Sequence, residues 1–123
     1  MKKKEKTATI NFKINLDPNN IPEEITWQAT DSQNNINKAK AVIISVWDGE
    51  EKTSLKIDLW TKEMMAEEMK FFIFQILDSL SESYLKSVGD ERIAEEIKKF
   101  AKNGPPFFFD GYYLIKREMN FHF

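Results

Sequence analysis

Two apolar runs separated by a short polar turn occupy residues 39–61, and they constrain the fold more than any other part of the chain. The turn centres on Asp48 and Gly49, and the stretch contains two of the three tryptophans, Trp47 and Trp60. Large apolar side chains on both sides of a turn are brought together when the chain reverses direction. We therefore expect this stretch to form the centre of a hydrophobic core and not an active site.

The first half of the chain shows the two-residue periodicity of half-buried strands. Residues 8–16 and residues 25–29 alternate apolar with polar side chains, which predicts two strands. The polar connection between them contains Pro18 and Pro22 and has turn chemistry, so these strands should pair antiparallel. Residues 55–59 alternate in the same way and predict a further strand.

Residues 39–47 fit two structures. Their β-branched side chains favour a strand, which would complete a four-stranded meander. Asparagine residues just upstream offer helix caps, and five apolar side chains follow helical spacing. We favour the helix. The residues that follow this spacing are Ala39, Val42, Ile43, Val46 and Trp47.

A continuous apolar stripe predicts a long helix over about residues 62–86, with Thr61 as its cap and Gly89 at its end. A second helix should begin after Asp90 and stop near Gly104. The predicted fold is α+β, a two-layer domain in which an antiparallel sheet of three to four strands packs on the long helix. The predicted structural core comprises Phe12, Trp27, Trp47, Leu55, Ile57, Leu59, Phe72, Ile76 and Leu80.

The composition changes along the chain, giving a basic N-terminal tail (residues 1–7), a single α+β domain (residues 8–102) and an aromatic C-terminal tail (residues 103–123). The tail either packs back on the helix, forms a sticky segment for a partner or membrane surface, or is disordered. Asp110 and Gly111 favour a short hairpin within it. The predicted partner-binding residues are Trp60, Phe71, Phe74, Phe107, Phe108, Phe109, Tyr112 and Tyr113.

The residue types exclude several kinds of chemistry. The net charge of −2 argues against nucleic-acid binding. The chain has no cysteine, so disulfides, thiolate nucleophiles and zinc–thiolate sites are excluded. The single histidine, His122, lies next to the last residue, and no phosphate-binding glycine loop is present. We therefore expect no catalytic residue, no metal site and no cofactor.

The location also follows from the apolar pattern. The basic N-terminal residues precede an alternating segment, whereas a signal peptide needs a continuous apolar run. No run approaches the roughly 20 apolar residues of a membrane span. We expect a cytoplasmic protein that is at most peripheral to the inner membrane.

Several motifs in the chain resemble the GldC family of gliding motility proteins. The most specific is Trp47-Asp48 followed by Leu-Lys-Ile-Asp-Leu-Trp-Thr-Lys-Glu-Met over residues 55–64 and by Glu68-Met69-Lys70 with Phe72. Segments at residues 12–17, 20–23, 25–27 and 38–41 fit the family as well. The resemblance covers about residues 8–101, and the chain departs from the family pattern from about Lys102.

The resemblance implies a small accessory protein of the bacterial gliding machinery, a system associated with type IX secretion. Such a protein would act through protein–protein interaction, would support a lipoprotein of the GldB type, and would have no catalytic residues. Two other classes remain alternatives. One is a small-molecule-binding or hydrolytic domain in which Asp58, Trp60 and Tyr84 line an apolar pocket. The other is a chaperone-like dimer of a secretion system, so a homo-oligomer is also considered.

Overall fold

The structure, a computed structural model, describes residues 6–30, 35–105, 108–109 and 112–113. The chain divides into two compact units with the boundary between Met64 and Met65. We call them the strand unit and the helical unit. Predictions for the basic residues 1–5 and for Phe107 lie outside the described residues.

The strand unit begins with a three-stranded antiparallel sheet. Its strands are β1 (Ile10–Leu16), β2 (Pro22–Ala29) and β3 (Asn37–Ala39), in the order β1-β2-β3. Cross-strand pairs such as Phe12 with Trp27 place apolar side chains on one face. This confirms the two strands that the alternation predicted.

A separate two-stranded hairpin follows, made of β4 (Ala41–Asp48) and β5 (Thr53–Trp60). The helix predicted over residues 39–47 is therefore wrong, and the strand alternative is correct. β-branched side chains lose rotamer freedom in a helix but fit a pleated surface, and here that preference outweighs the helical spacing. Instead of one sheet of three to four strands, the described strands of this unit form sheets of three and two.

The helical unit contains α1 (Ala66–Val88) and α2 (Glu91–Ala101). Gly89 ends α1 in the left-handed region with φ of 82°, and its N–H donates to the Leu85 carbonyl at 2.9 Å. The Asp90 carboxylate caps α2 by accepting from the Ile93 N–H at 3.2 Å. The fold class is thus α+β, as predicted, while the packing of a helix on a sheet stays a prediction.

Two details of the helical unit bear on other predictions. The N-cap of α1 is Met65, without a side-chain hydrogen bond, so the prediction of Thr61 as the cap is wrong. The backbone also pairs β6 (Phe108–Phe109) with β7 (Tyr112–Tyr113), which agrees with the short hairpin predicted for the tail.

Thr61 belongs instead to the end of the hairpin. Its N–H donates to the Lys40 carbonyl at 2.8 Å, and its own carbonyl accepts from the Met64 N–H at 3.1 Å. The residue is buried, and its hydroxyl has no hydrogen-bond partner among the described residues. A buried hydroxyl without a partner is destabilising, because it has lost its bonds to water.

Replacing Thr61 with valine is expected to raise the free energy of unfolding by about 1 kcal/mol, because a methyl group takes the place of the unpaired hydroxyl. Urea denaturation checks this value. Thr61→Ser is the control: it keeps the hydroxyl, loses a buried methyl and should lower stability by about 1 kcal/mol. A clear loss of stability in the valine variant would contradict the orphaned hydroxyl.

Candidate protein-binding surface

Three apolar side chains form a continuous exposed surface on the β4–β5 hairpin. Val46 lies directly opposite Leu55, and Ile57 lies two residues further along β5, opposite Ile44. Their exposed fractions are 53% for Val46, 56% for Leu55 and 54% for Ile57. We call these three residues the hairpin face.

The strand pattern explains why these side chains lie together. Side chains alternate across a strand, so the register places even-numbered residues of β4 beside odd-numbered residues of β5. At the other end of the same face, Val42 is buried and Leu59 half-buried. The apolar face of the hairpin is thus covered near Val42 and Leu59 and exposed at the hairpin face. Contiguous apolar patches of this kind mark interaction sites.

The opposite face of the hairpin has an ion pair between two exposed tryptophans. The Lys56 ammonium lies 3.4 Å from the Asp58 carboxylate, while Trp47 and Trp60 occupy opposite ends and are 67% and 52% exposed. Trp60, a predicted partner-binding residue, is therefore accessible.

Three hairpin residues that were predicted as core are each more than half exposed, namely Trp47, Leu55 and Ile57. The reason is that a hairpin of two strands supplies no covering layer of its own.

The other predicted core and partner-binding residues show a range of burial. Phe71 is buried, and Phe74 is half-buried with its ring stacked on Phe100 at 6.2 Å between centroids. Their role in binding stays a prediction. Side chains of Phe107–Phe109 and Tyr112–Tyr113 lie outside the described residues. Among the remaining core predictions, the structure leaves Phe12 and Leu80 exposed and half-buries Trp27, Phe72 and Ile76.

The residues of the predicted hydrolytic site have other partners. The Asp58 side chain is exposed and paired with Lys56. In the helical unit, the Tyr84 hydroxyl donates to the Asp90 carboxylate at 3.4 Å. Burial of the phenol, together with the nearby Asp90 charge, raises the pKa of Tyr84 above its usual range. A catalytic base or nucleophile is typically a side chain with a shifted pKa that points into a cleft. Neither the Lys56–Asp58 pair nor the Tyr84–Asp90 hydrogen bond has this arrangement.

A cavity of about 210 Å³ lies between α1 and α2. It is smaller than the roughly 300–1,000 Å³ of typical small-molecule sites. On its wall, the Lys98 ammonium lies 3.2 Å from Glu82 and 3.4 Å from Asp78. Because the Lys98 ammonium on α2 is shared between two carboxylates of α1, this cluster links the two helices.

A buried carboxylate, that of Asp17, joins the turn after β1 to the segment after β5. The Asp17 side chain accepts from the Asn19 N–H at 2.8 Å and the Ile21 N–H at 3.0 Å, and it lies 2.7 Å from the Lys62 ammonium. The bond from Lys62, followed by that from Ile21, lowers the pKa of Asp17. This contact fixes the segment that follows β5 to the turn after β1. Sequence reasoning identified only the turn.

Two properties of the described residues bear on other functions. No group of three or more His, Asp or Glu side chains there is arranged to hold a metal ion. No helix in that part of the chain has the length and apolar content needed to cross a membrane.

Comparison with known protein families gives a match over most of the chain. A family model described as gliding motility-associated protein GldC-like matches residues 22–104. That range begins at β2 and includes the hairpin and both helices. No curated protein and no solved structure matches the chain.

Proposed function

Because this chain belongs to the GldC-like family of gliding motility-associated proteins, we propose that it is a non-enzymatic accessory protein of the gliding machinery that acts by binding another protein. Family membership confirms the resemblance drawn from the motifs between residues 22 and 101. The family description also associates the chain with gliding motility. The mode of action is our proposal, and the hairpin face is the observation that carries it.

The hairpin face has the properties of a binding surface. Its three residues come from two strands whose hydrogen-bonded register holds them side by side. A preformed surface of this kind loses little conformational entropy on binding. Burying the exposed half of three such side chains would contribute about 3 kcal/mol. Trp60, on the opposite face, offers a separate aromatic contact of the type enriched at interfaces.

The occupant we propose for this face is a protein of the same machinery with an apolar surface of its own. A lipoprotein of the GldB type is the candidate that the family resemblance implies, in bacteria that also carry type IX secretion. We propose a cytoplasmic location, at most peripheral to the inner membrane.

Replacing Val46 with glutamate is expected to weaken partner binding at least about ten-fold, because the charge would have to be desolvated in the interface. Val46 is more than half exposed, so the variant should fold. The measurement is affinity capture with crosslinking from gliding cells, together with gliding of cells that carry the variant.

Ser45→Glu is the matched control, because Ser45 is exposed, is adjacent in β4 and points to the opposite face. It should capture the same motility proteins as the unaltered chain. If Val46→Glu captures those proteins equally well and supports normal gliding, the hairpin face is not the binding surface. Recovery of no motility protein by the unaltered chain would contradict the proposed function as a whole.

A further inference from the structure

The outer edge of β5 carries a row of backbone groups that pair with no other strand in the described part of the chain. Among the described residues, β5 pairs with β4 alone. The Thr61 N–H points to the Lys40 carbonyl on the β4 side. Because backbone groups alternate in direction along an antiparallel strand, the N–H and C=O groups of every second residue before Thr61 also face β4. Those that face outward belong to Ser54, Lys56, Asp58 and Trp60.

This edge lacks most of the features that usually protect exposed strands. Natural edges are kept short or are blocked by proline, by bulges or by charged side chains, lysine in particular. β5 is eight residues long, contains no proline, and keeps an unbroken register with β4 from Thr53 to Trp60. Its two charges, Lys56 and Asp58, cancel. An edge of this kind is a template for another strand.

We propose that two copies of this chain pair antiparallel through their β5 strands, with the two-fold axis passing at Ile57. In this register, Ile57 lies opposite Ile57 of the second copy, and Leu55 lies opposite Leu59. On the other face, Lys56 lies opposite Asp58 at both symmetric positions. A closed two-fold arrangement of identical surfaces is the commonest form of protein association.

Charge and side-chain pattern select this register over its neighbours. A shift by one residue would place apolar side chains opposite polar ones, because the side-chain period is two. A shift by two residues in one direction would place Lys56 opposite Lys56, and in the other direction Asp58 opposite Asp58. Like charges directly opposite are destabilising. Only the Ile57-centred register combines apolar pairs with pairs of opposite charge.

The backbone directions fit the same register. Lys56 and Asp58 both point their backbone groups outward and would form hydrogen-bonded pairs, as would Ser54 with Trp60. Together these residues would add about eight backbone hydrogen bonds across the axis. The result is a four-stranded sheet in the order β4-β5-β5-β4. It also joins the hairpin faces of the two copies into one larger surface, although the pairing itself does not depend on the proposed function.

The absence of cysteine from the sequence makes crosslinking a direct test. Pairs that do not exchange hydrogen bonds have Cα atoms about 4.5 Å apart, which lies within the range that a disulfide spans. The Ile57→Cys chain is therefore expected to form a disulfide-linked dimer under mild oxidation at low protein concentration. Non-reducing gel electrophoresis and mass measurement detect it.

Ile44→Cys is the matched control, since Ile44 pairs with Ile57 on the same face of the hairpin but lies on β4. It should form no disulfide-linked dimer under the same conditions, because the β4 strands of the two copies lie on the outside of the proposed sheet. Equal crosslinking rates for the two variants would overturn the proposal, as would faster crosslinking of Ile44→Cys, which would indicate pairing through β4.

Charge exchange provides an independent test in solution. Lys56→Asp would place two carboxylates opposite each other at both symmetric positions, and Asp58→Lys would do the same with two ammonium groups. Each single variant is expected to weaken dimerisation about ten-fold or more, whereas the double variant Lys56→Asp with Asp58→Lys should restore it. Sedimentation equilibrium measures the dimer dissociation constant, and circular dichroism checks the fold.

An unaltered chain that remains monomeric at high concentration, or a double variant as weak as the single ones, would overturn the pairing. These measurements use the purified chain alone, so they are separate from the test of partner binding. Adding Val46→Glu to the Ile57→Cys chain should leave the crosslink intact, because Val46 lies on β4, away from the β5 edge.

Discussion

Replacing Asp17 with alanine is expected to lower the melting temperature by about 5–10 °C. The substitution removes the acceptor for two backbone N–H groups, those of Asn19 and Ile21, and leaves the Lys62 ammonium without its partner. The Asp17 side chain is buried, and hydrogen bonds to a buried charged group are among the stronger ones in proteins. Thermal unfolding followed by circular dichroism measures the change.

The same carboxylate predicts how stability depends on pH. Its folded-state pKa lies below the ordinary value of 3.8, mainly because of the bond from Lys62. A lowered pKa means that the stabilisation is complete above the unfolded-state pKa and is lost as the pH falls through the folded-state pKa. The free energy of unfolding should therefore decrease between about pH 5 and pH 2. This decrease should be smaller in Asp17→Asn, which does not titrate.

Two lysine variants separate the ion pair from the turn. Lys62→Met removes the cation but keeps both backbone bonds of Asp17, so we expect a smaller loss than in Asp17→Ala. Lys38→Met is the control, because the Lys38–Glu24 pair spans 3.7 Å between exposed side chains, and such pairs contribute little. Equal effects of the two lysine variants would contradict the special role of Asp17, as would an unchanged acid limb in Asp17→Asn.

Sequence periodicity predicted the correct secondary structure where only one period was present. It predicted the wrong structure where helical and strand signals overlapped. β1, β2 and β5 alternate strictly, and each formed as predicted. Residues 39–47 satisfy the helical spacing and are also rich in β-branched side chains, so local pattern alone does not separate the two structures. Pairing decides between them, since all eight residues of β4 find partners in β5.

Contacts between distant residues escaped prediction for a different reason. The Asp17–Lys62 pair joins positions far apart in the chain, and no local periodicity encodes it. Thr61 has the residue type of a helix cap, yet it continues the pairing of the hairpin with Lys40, and α1 begins only at Ala66 with Met65 as its N-cap. A capping preference of about 1 kcal/mol is easily outweighed by the pairing of a strand.

The residues of the hairpin face were not among the predicted partner-binding residues. Trp60 was identified as a contact residue, and it is exposed. Leu55 and Ile57 were instead assigned to the core, because alternation shows that they share a face but does not show whether that face is covered. What covers a strand depends on the rest of the molecule and on its partners. The exposure of Val46 beside them, together with the register, is what only the structure provides.

Replacing Gly104 with alanine is expected to lower the free energy of unfolding by about 2 kcal/mol. A Cβ atom at this position would lie 2.5 Å from Cδ1 and 2.7 Å from Cβ of Phe74. The Phe74 Cβ is fixed to α1 and cannot rotate away, so the helix or the segment after α2 has to move. That movement would disturb the stacking of Phe74 on Phe100. Urea denaturation measures the loss.

Gly49→Ala is the matched control, because a Cβ there would meet no atom within 4 Å, and it should change stability by less than about 0.5 kcal/mol. In a Phe74→Ala background, Gly104→Ala should cost less than in the unaltered chain, since ring atoms that obstruct the new Cβ are gone. An equal cost in both backgrounds would mean that the Phe74 ring does not obstruct the new Cβ atom, since the Cβ of residue 74 is present in both.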